Sequence, residues 1–308
     1  MLAWLSVVGG LALLVGGAEW LVRGAVRIAL ALRIPAGIVG LTVVAAGTSL
    51  PELFVSVSAA LRGAPDLSTG NVVGSNIYNI GLILGLSALI RPLVTDRPTI
   101  RFDWPVVLVA ALALWGLGAD GQLGRLDGAL LLGGHAAYLA WLVRRAHVDR
   151  VEDEPGGGGI PGAVVGILVG LVGLTVGSRF LIDGATTIAE GLGVSQRVIG
   201  LTIVGLGTST PELATSLVAA WRGQNDIAIG NVLGSNIFNV LLILGASALV
   251  ISLPVHPGLL ASDIPWMVGI TVLLLPLLIT GQRIVRGEGA LLLGVAGLYT
   301  TLLLNQPG

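Results

Sequence analysis

The residues of this sequence with the most chemical capacity lie in a short stretch that ends in a glutamate. Residues 47–52 read Gly-Thr-Ser-Leu-Pro-Glu. Thr48 and Ser49 precede Glu52 by four and three positions, so in a helix all three side chains share one face. That face offers a carboxylate and two hydroxyls, which are hard oxygen donors suited to a cation.

A proline inside the stretch is expected to add backbone oxygens to these donors. Pro51 has no N–H, and its ring clashes with the carbonyl of Gly47 four residues earlier, so a helix is interrupted there. Carbonyls near the break, including that of Ala45, are then expected to leave the helical hydrogen-bond ladder. In a membrane such groups are tolerated only where protein or a hydrated cavity satisfies them.

The stretch occurs twice, and so does a second motif. Residues 207–212 read Gly-Thr-Ser-Thr-Pro-Glu, 160 positions after the first copy. At the same offset, Gly-Asn-Val-Val-Gly-Ser-Asn-Ile-Tyr-Asn at 70–79 returns at 230–239 with two substitutions, and its serine and last asparagine are spaced i and i+4. The candidate site side chains are Thr48, Ser49, Glu52, Ser75 and Asn79 in the first copy, and Thr208, Ser209, Glu212, Ser235 and Asn239 in the second.

Four more asparagines lie in the second motif, and their positions indicate other roles. Asn71 and Asn231 each follow a glycine, so they either cap the start of a helix or take part in the site. Asn76 and Asn236 fall one residue after the serines, on a different helix face. Their position favours hydrogen bonds between helices over ion binding.

The composition requires lipid as the solvent. Of 308 residues, 54% are hydrophobic and only 11% are charged, and the mean hydropathy is +0.94. Soluble domains carry about 25% charged residues. The net charge of −1 gives no attraction to nucleic acid, and the absence of cysteine excludes disulfides and thiol chemistry.

Ten segments are apolar enough to cross a membrane, where a helix needs about 20 residues. They are 2–21, 36–61, 69–90, 103–119, 127–143, 160–182, 196–221, 229–251, 264–281 and 288–304. The polar linker 144–159 divides the chain into a first half, 1–143 with its motif at 40–85, and a second half, 160–308 with its motif at 200–245.

Five predicted spans separate corresponding points of the two copies, and because five is odd the second copy enters the membrane upside down. Inverted repeats with interrupted helices that meet near the midplane are typical of secondary transporters. The sequence therefore predicts an all-α integral membrane protein of ten transmembrane helices, in two inverted five-helix repeats with discontinuous ion-binding helices.

The arginines set the predicted orientation, since cytoplasmic loops are enriched in basic residues. With both termini outside, 12 of the 16 arginines fall inside, and the 4 that fall outside are Arg62, Arg125, Arg179 and Arg197. This orientation also places the linker 144–159 in the cytoplasm. A multi-pass protein of the cell membrane is expected. The sequence gives no oligomeric state, and a monomer is compatible with it.

The donor set favours Ca²⁺ and Na⁺ as the transported ions. Every proposed ligand is oxygen, and no histidine or cysteine favours zinc or copper. Calcium takes 6–8 oxygens, and sodium accepts the same donors, whereas magnesium dehydrates reluctantly. A site with two ionised glutamates in a membrane is energetically costly when no cation occupies it. One Ca²⁺, two or more Na⁺, or two protons neutralise them, so we expect filled sites alone to cross.

These duplicated motifs resemble the two alpha-repeats of the calcium/cation antiporter superfamily, as found in the sodium/calcium exchangers. The resemblance covers roughly residues 10–90 and 170–250. The large regulatory domain of the animal members has no counterpart in this sequence. The resemblance implies that Glu52 and Glu212 are the central ligands. Supporting roles are implied for Thr48, Ser49, Thr208, Ser209, Ser75, Ser235, Asn79 and Asn239, and for the backbone carbonyls of Ala45 and Gly205.

The resemblance further implies exchange of several Na⁺ for each Ca²⁺ and no cofactor. Some relatives carry aspartate where this chain has Asn239. With two carboxylates rather than three, a potassium-cotransporting type is disfavoured, whereas proton coupling stays open. A H⁺/Ca²⁺ antiporter with the same two-glutamate site is therefore the main alternative.

Other classes of function fit less well. An intramembrane hydrolase would need a base beside Ser49, and no histidine or lysine supports one, so the protein is not expected to be an enzyme. A passive channel is disfavoured because strongly binding carboxylates at one central site slow release. A purely structural role for the glutamates is disfavoured, because a carboxylate inside a membrane is energetically costly and is usually found there only at a functional site.

Overall fold

The computed structural model describes residues 2–61, 65–148, 159–193 and 205–304. Within these ranges eight helices are long and apolar enough to cross a membrane, and a ninth span forms if the two arms of one bent pair are counted together. The helices are α1 (Leu2–Leu32), α2 (Ala36–Thr48), α3 (Leu50–Leu61), α4 (Leu67–Ile90), α5 (Thr99–Asp120), α6 (Arg125–Val148), α7 (Ile160–Gly191), α8 (Gly205–Gly207), α9 (Thr210–Trp221), α10 (Asn225–Val250), α11 (Leu259–Gln282) and α12 (Arg286–Leu304).

The predicted interruption near Pro51 is present. Helices α2 and α3 meet at an angle of 45°, and Ser49 between them has φ −85° and ψ 8°, outside the helical region. Ser209 precedes α9 with nearly the same backbone, φ −83° and ψ 9°. Of the predicted span 196–221, residues 196–204 lie outside the described part of the chain.

Several helices run beyond their predicted ends. Helix α1 has 31 residues, about 46 Å at 1.5 Å per residue, so it exceeds a hydrocarbon core of about 30 Å and must tilt or protrude. Helix α6 continues to Val148. The predicted linker 144–159 is therefore helical at its start, and its part 149–158 lies outside the described residues.

Wide π-helical turns occur at matching places in the two halves. Asn79–Leu84 in α4 corresponds to Phe238–Leu244 in α10, and Thr99–Asp103 in α5 corresponds to Leu259–Asp263 in α11. Such turns are rare in proteins as a whole, and those that occur often lie at functional sites. The duplication seen in the sequence is thus also a duplication of backbone irregularities.

Burial separates a central pair of helices from the periphery. Of the most apolar window of each helix, 94% is buried in α10 and 67% in α4, against 22% in α6 and α12. Large side chains such as Trp4, Phe54 and Leu126 are exposed on outer surfaces. This arrangement suits lipid contact, because apolar side chains facing lipid need no cover.

Helices α1 and α7 pack along a seam of small residues. A Cβ added at Gly17 would lie 2.7 Å from the backbone nitrogen of Leu174, and one added at Gly10 would lie 2.8 Å from the carbonyl of Gly177. The series continues at Gly24, which faces Ala163. Small residues let two backbones approach closely, as in other membrane helix pairs.

Four strands of two residues each tie the two halves together, a feature that the all-α prediction did not include. β1 (Leu93–Val94) pairs antiparallel with β4 (Arg283–Ile284), and β2 (Gln122–Leu123) pairs with β3 (Leu253–Pro254). Each pair joins the first half to the second. The described chain is otherwise helical.

Candidate functional site

Two glutamates lie at the centre of the molecule, one from each half. Glu52 and Glu212 are each 1% exposed. Both occupy the first turn of a helix that begins after a break, α3 and α9. A carboxylate is favoured there by the positive end of the helix dipole.

The serines at the two breaks cross over to the glutamate of the other half. Ser49 Oγ donates to Glu212 Oε1 over 2.8 Å, and Ser209 Oγ donates to Glu52 Oε1 over 3.1 Å. The local expectation of one shared patch within each motif is therefore replaced by an exchange between motifs. Hydrogen bonds to charged acceptors are the stronger kind, so each half orients the carboxylate of the other.

The serines of the second motif extend this exchange. Ser49 Oγ lies 3.0 Å from Ser235 Oγ, and Ser209 Oγ lies 3.2 Å from Ser75 Oγ. All four serines are buried. The predicted hydroxyl ligands Ser49, Ser209, Ser75 and Ser235 are therefore brought together with the two glutamates.

The two threonines of the first motif contact asparagines that sequence analysis left open. Thr48 Oγ1 donates to Asn231 Oδ1 over 3.1 Å, and Thr208 Oγ1 lies 3.5 Å from Asn71 Oδ1. The interpretation of both asparagines as helix caps is wrong. Asn71 lies inside α4 and Asn231 lies inside α10, and Asn231 also donates to Glu212 O over 3.2 Å.

The backbone carbonyls around the breaks behave differently from one another. Ala45 O accepts the Ser49 N–H over 3.0 Å, so the expectation that it leaves the helical ladder is wrong. Gly207 O stands four residues before Pro211 and accepts the Ser178 hydroxyl over 2.8 Å. A carbonyl opposite a proline is thus satisfied by a neighbouring helix. Gly205 begins the short helix α8.

Asparagines 76 and 236 bond between helices, as predicted. Asn76 Nδ2 donates to Asn236 O and Asn236 Nδ2 donates to Asn76 O, each over 3.2 Å. Their side-chain oxygens accept from the predicted ligands: Asn79 Nδ2 donates to Asn236 Oδ1 over 2.9 Å, and Asn239 Nδ2 to Asn76 Oδ1 over 3.0 Å.

Four buried oxygens at the candidate ligands have no hydrogen-bond partner among the residues that the structure describes. They are Glu52 Oε2, Glu212 Oε2, Asn79 Oδ1 and Asn239 Oδ1. Leaving such acceptors unsatisfied costs about 1–3 kcal/mol each, and more for a charged group. Because these four oxygens can only accept, a bound cation is a suitable partner for all of them.

The carboxylate count of the site is low. Nowhere in the described ranges do three or more histidine, cysteine, aspartate or glutamate side chains form a group able to hold a metal ion. The acidic contribution at the centre is therefore Glu52 and Glu212, with neutral hydroxyl and amide oxygens around them. This donor set fits hard cations such as Ca²⁺ or Na⁺ and gives no favourable ligand for a soft metal.

Comparison with known proteins gives matches along nearly the whole chain. A family model described as "Sodium/calcium exchanger protein" matches residues 2–144 and 162–305. The putative antiporter CaxA of Alkalimonas amylolytica is 39% identical over 99% of this chain and 100% of its own. The sodium/calcium exchanger MaX1 of Methanosarcina acetivorans is 32% identical over 92% of this chain and 93% of its own.

A solved structure matches as well. That of the sodium-calcium exchanger NCX_Mj, soaked with zero Na⁺ and Ca²⁺, aligns with a TM-score of 0.87 at 36% identity. The alignment covers 98% of this chain and 99% of that one. The similarity therefore spans both halves and the helices between them.

Proposed function

The chain belongs to the sodium/calcium exchanger protein family, and on that premise we propose that it exchanges Ca²⁺ for Na⁺ across the membrane by alternating access at a central site. As a multi-pass membrane protein of a transporter family it moves ions as its substrates. The observation that carries the proposal is the crossed contact of Ser49 with Glu212 and Ser209 with Glu52. These two contacts join residues from both halves of the chain in a single candidate site.

The proposed ligands are the oxygens gathered at this crossing. Calcium takes 6–8 oxygens at 2.3–2.6 Å, and the unpartnered atoms of Glu52, Glu212, Asn79 and Asn239 supply four of them. Hydroxyl and carbonyl oxygens complete the set. The full proposed set is Glu52, Glu212, Thr48, Ser49, Thr208, Ser209, Asn79, Asn239, Ser75 and Ser235, with the carbonyls of Ala45 and Gly205.

Charge balance couples the two ion flows. Two ionised glutamates buried in the membrane carry two negative charges that cost several kcal/mol when unpaired. One Ca²⁺ neutralises both, and so do two or more Na⁺. A loaded site can therefore reorient across the membrane, whereas an empty one is held back, which makes transport an exchange.

We propose ten spans in two inverted repeats, with both termini outside and the linker 144–159 in the cytoplasm. The contacts of several arginines support the grouping of cytoplasmic ends. Arg222 pairs with Glu19, which also pairs with Arg23. Arg286 donates to Leu89 O near Arg91. All four arginines were assigned to the same side from the sequence.

Radiolabelled calcium uptake into proteoliposomes tests the function. Vesicles loaded with Na⁺ are diluted into sodium-free buffer, and uptake is expected in the wild type but not in Glu52→Gln or Glu212→Gln. Glu288→Gln is the matched control, because Glu288 accepts the Val285 N–H at the start of α12, away from the crossing. Full uptake in both site variants would contradict the proposal.

Proton coupling is the second candidate. It is favoured by the limited charge of the site, since two protons on Glu52 and Glu212 balance one Ca²⁺ as well as sodium ions do. Uptake that follows an outward proton gradient and ignores internal Na⁺ would assign the same site to H⁺/Ca²⁺ exchange. Uptake that requires internal Na⁺ at constant pH would assign it to Na⁺/Ca²⁺ exchange.

A further inference from the structure

Asn76 and Asn236 form a reciprocal contact where α4 and α10 cross. Each side chain donates to the backbone carbonyl of the other residue over 3.2 Å. Both side chains are at most 2% exposed. The pair lies three residues before the proposed ligands Asn79 and Asn239 in each helix, and each side-chain oxygen accepts from the ligand of the opposite half.

The orientation of all four amides follows from one chemical fact. A backbone carbonyl accepts hydrogen bonds and never donates them, so the atom of Asn76 that faces Asn236 O must be its nitrogen. The oxygen of Asn76 is then the atom that faces Asn239. Only the nitrogen of Asn239 can donate to it, and the Asn239 oxygen must point the other way. The same reasoning, with the halves exchanged, fixes Asn236 and Asn79.

The free ends of the two ligand amides are therefore oxygens. Neither Asn79 Oδ1 nor Asn239 Oδ1 has a hydrogen-bond partner among the described residues, although both are buried. We propose that Asn76 and Asn236 are positioning residues that make Asn239 and Asn79 present oxygen, rather than N–H, to the transported cation. This inference rests on the proposed function, in which Asn79 and Asn239 are ligands.

The positioning matters because the two ends of an amide are nearly equal in size and opposite in polarity. An asparagine without a fixed partner can rotate its amide by 180° and point two N–H donors at the ion. Such a group repels a cation and removes one ligand. An amide with a fixed orientation presents an oxygen and no N–H donor to the ion, and it adds no negative charge to the site.

The two positioning contacts are separable. Removing the Asn236 side chain takes away the acceptor of Asn79, but it leaves the backbone oxygen of residue 236, which anchors Asn76. Asn76 therefore still orients Asn239. Each half thus controls one ligand of the other half, independently of the reverse contact.

A set of double-mutant cycles tests this pairing. The readout is the half-saturating calcium concentration for exchange of labelled against unlabelled Ca²⁺ in proteoliposomes, which needs neither sodium nor proton coupling. We expect Asn236→Ala to raise it about five- to tenfold, the worth of one net hydrogen bond. In an Asn79→Ala background the same change should have little further effect, whereas in an Asn239→Ala background it should keep its full effect.

The matched control is Asn76→Ala, for which the pattern should reverse: its effect vanishes with Asn239→Ala and persists with Asn79→Ala. Asn236→Leu and Asn76→Leu keep the branched shape of the side chain without its polar atoms, and they serve to repeat the cycles if the alanine variants do not fold. Effects that add equally in both backgrounds would show mere helix packing and overturn the inference alone. A wild type that exchanges no calcium would overturn the proposed function and this inference with it.

Discussion

Ser49 in the first half donates a hydrogen bond to Glu212 in the second half over 2.8 Å, although Glu52 lies only three residues away in the same motif. Ser209 returns the contact to Glu52. Each glutamate is thus held by a serine of the other half, 163 positions away for Glu212 and 157 positions away for Glu52. Any movement of one half against the other must change the surroundings of both carboxylates, which is a physical basis for coupling ion occupancy to reorientation.

Loss of either crossed hydroxyl should weaken calcium binding. We expect Ser49→Ala and Ser209→Ala each to raise the half-saturating calcium concentration by at least tenfold, because a hydrogen bond to a charged group is worth about 1.5–3 kcal/mol. The two effects should be similar in size. Ser49→Thr keeps the hydroxyl and should restore most of the affinity. Equal uptake curves for Ser49→Ala and wild type would remove Ser49 from the site.

Straightening the broken helix should impair transport. Pro51→Ala supplies an N–H for Gly47 O, so α2 and α3 can join as one helix and lose their 45° bend. We expect at least a tenfold fall in calcium uptake with unchanged protein yield. Pro276→Ala, inside α11, is the control and should transport normally. If both variants transport alike, the bend is not required.

The seam between α1 and α7 should be intolerant of one methyl group. Gly17→Ala places a Cβ 2.7 Å from Leu174 N and 2.8 Å from Gly170 O, where only backbone movement can relieve the overlap. We expect a loss of about 1–3 kcal/mol, measured as a lower midpoint of thermal unfolding in detergent. Gly16→Ala meets nothing within 4 Å and should leave the midpoint unchanged. Equal midpoints would contradict the close packing.

A buried ion pair should stabilise the packing of α5 on α6. Arg145 Nη1 lies 3.0 Å from Asp103 Oδ1, and the two side chains are 10% and 1% exposed. Arg145→Ala leaves a buried carboxylate without this cation and should cost about 3–5 kcal/mol in the same thermal assay. The double variant Asp103→Asn with Arg145→Gln should recover much of the loss. A double variant as unstable as Arg145→Ala would argue against the pair.

The proposed orientation can be tested without first removing any native cysteine, because the chain contains none. Glu154→Cys lies in the linker and should react with a membrane-impermeant thiol reagent only from the cytoplasmic side. Asp120→Cys, at the last residue of α5, should react only from outside. The reverse pattern in intact cells and inverted vesicles would invert the proposed topology.

Sequence alone predicted the elements of the site because its information is local and duplicated. A proline removes one helical hydrogen bond at its own position, and the constant offset of 160 identifies every predicted site residue twice. The same local logic failed where tertiary contacts compensate. The first span was predicted to end at residue 21, but α1 continues to Leu32, and Glu19 pairs with Arg23 and with Arg222 of the other half.

Other features were decided only by the packing of one half on the other. Asn71 and Asn231 follow glycines as helix caps do, yet they lie inside helices and contact the threonines of the opposite motif. No spacing in the chain says that Ser49 bonds Glu212 rather than Glu52, or that Asn236 orients Asn79. Sequence thus predicted which side chains belong to the candidate site, while tertiary structure decided their partners, because a hydrogen bond depends on separation in space and these partners come from different halves.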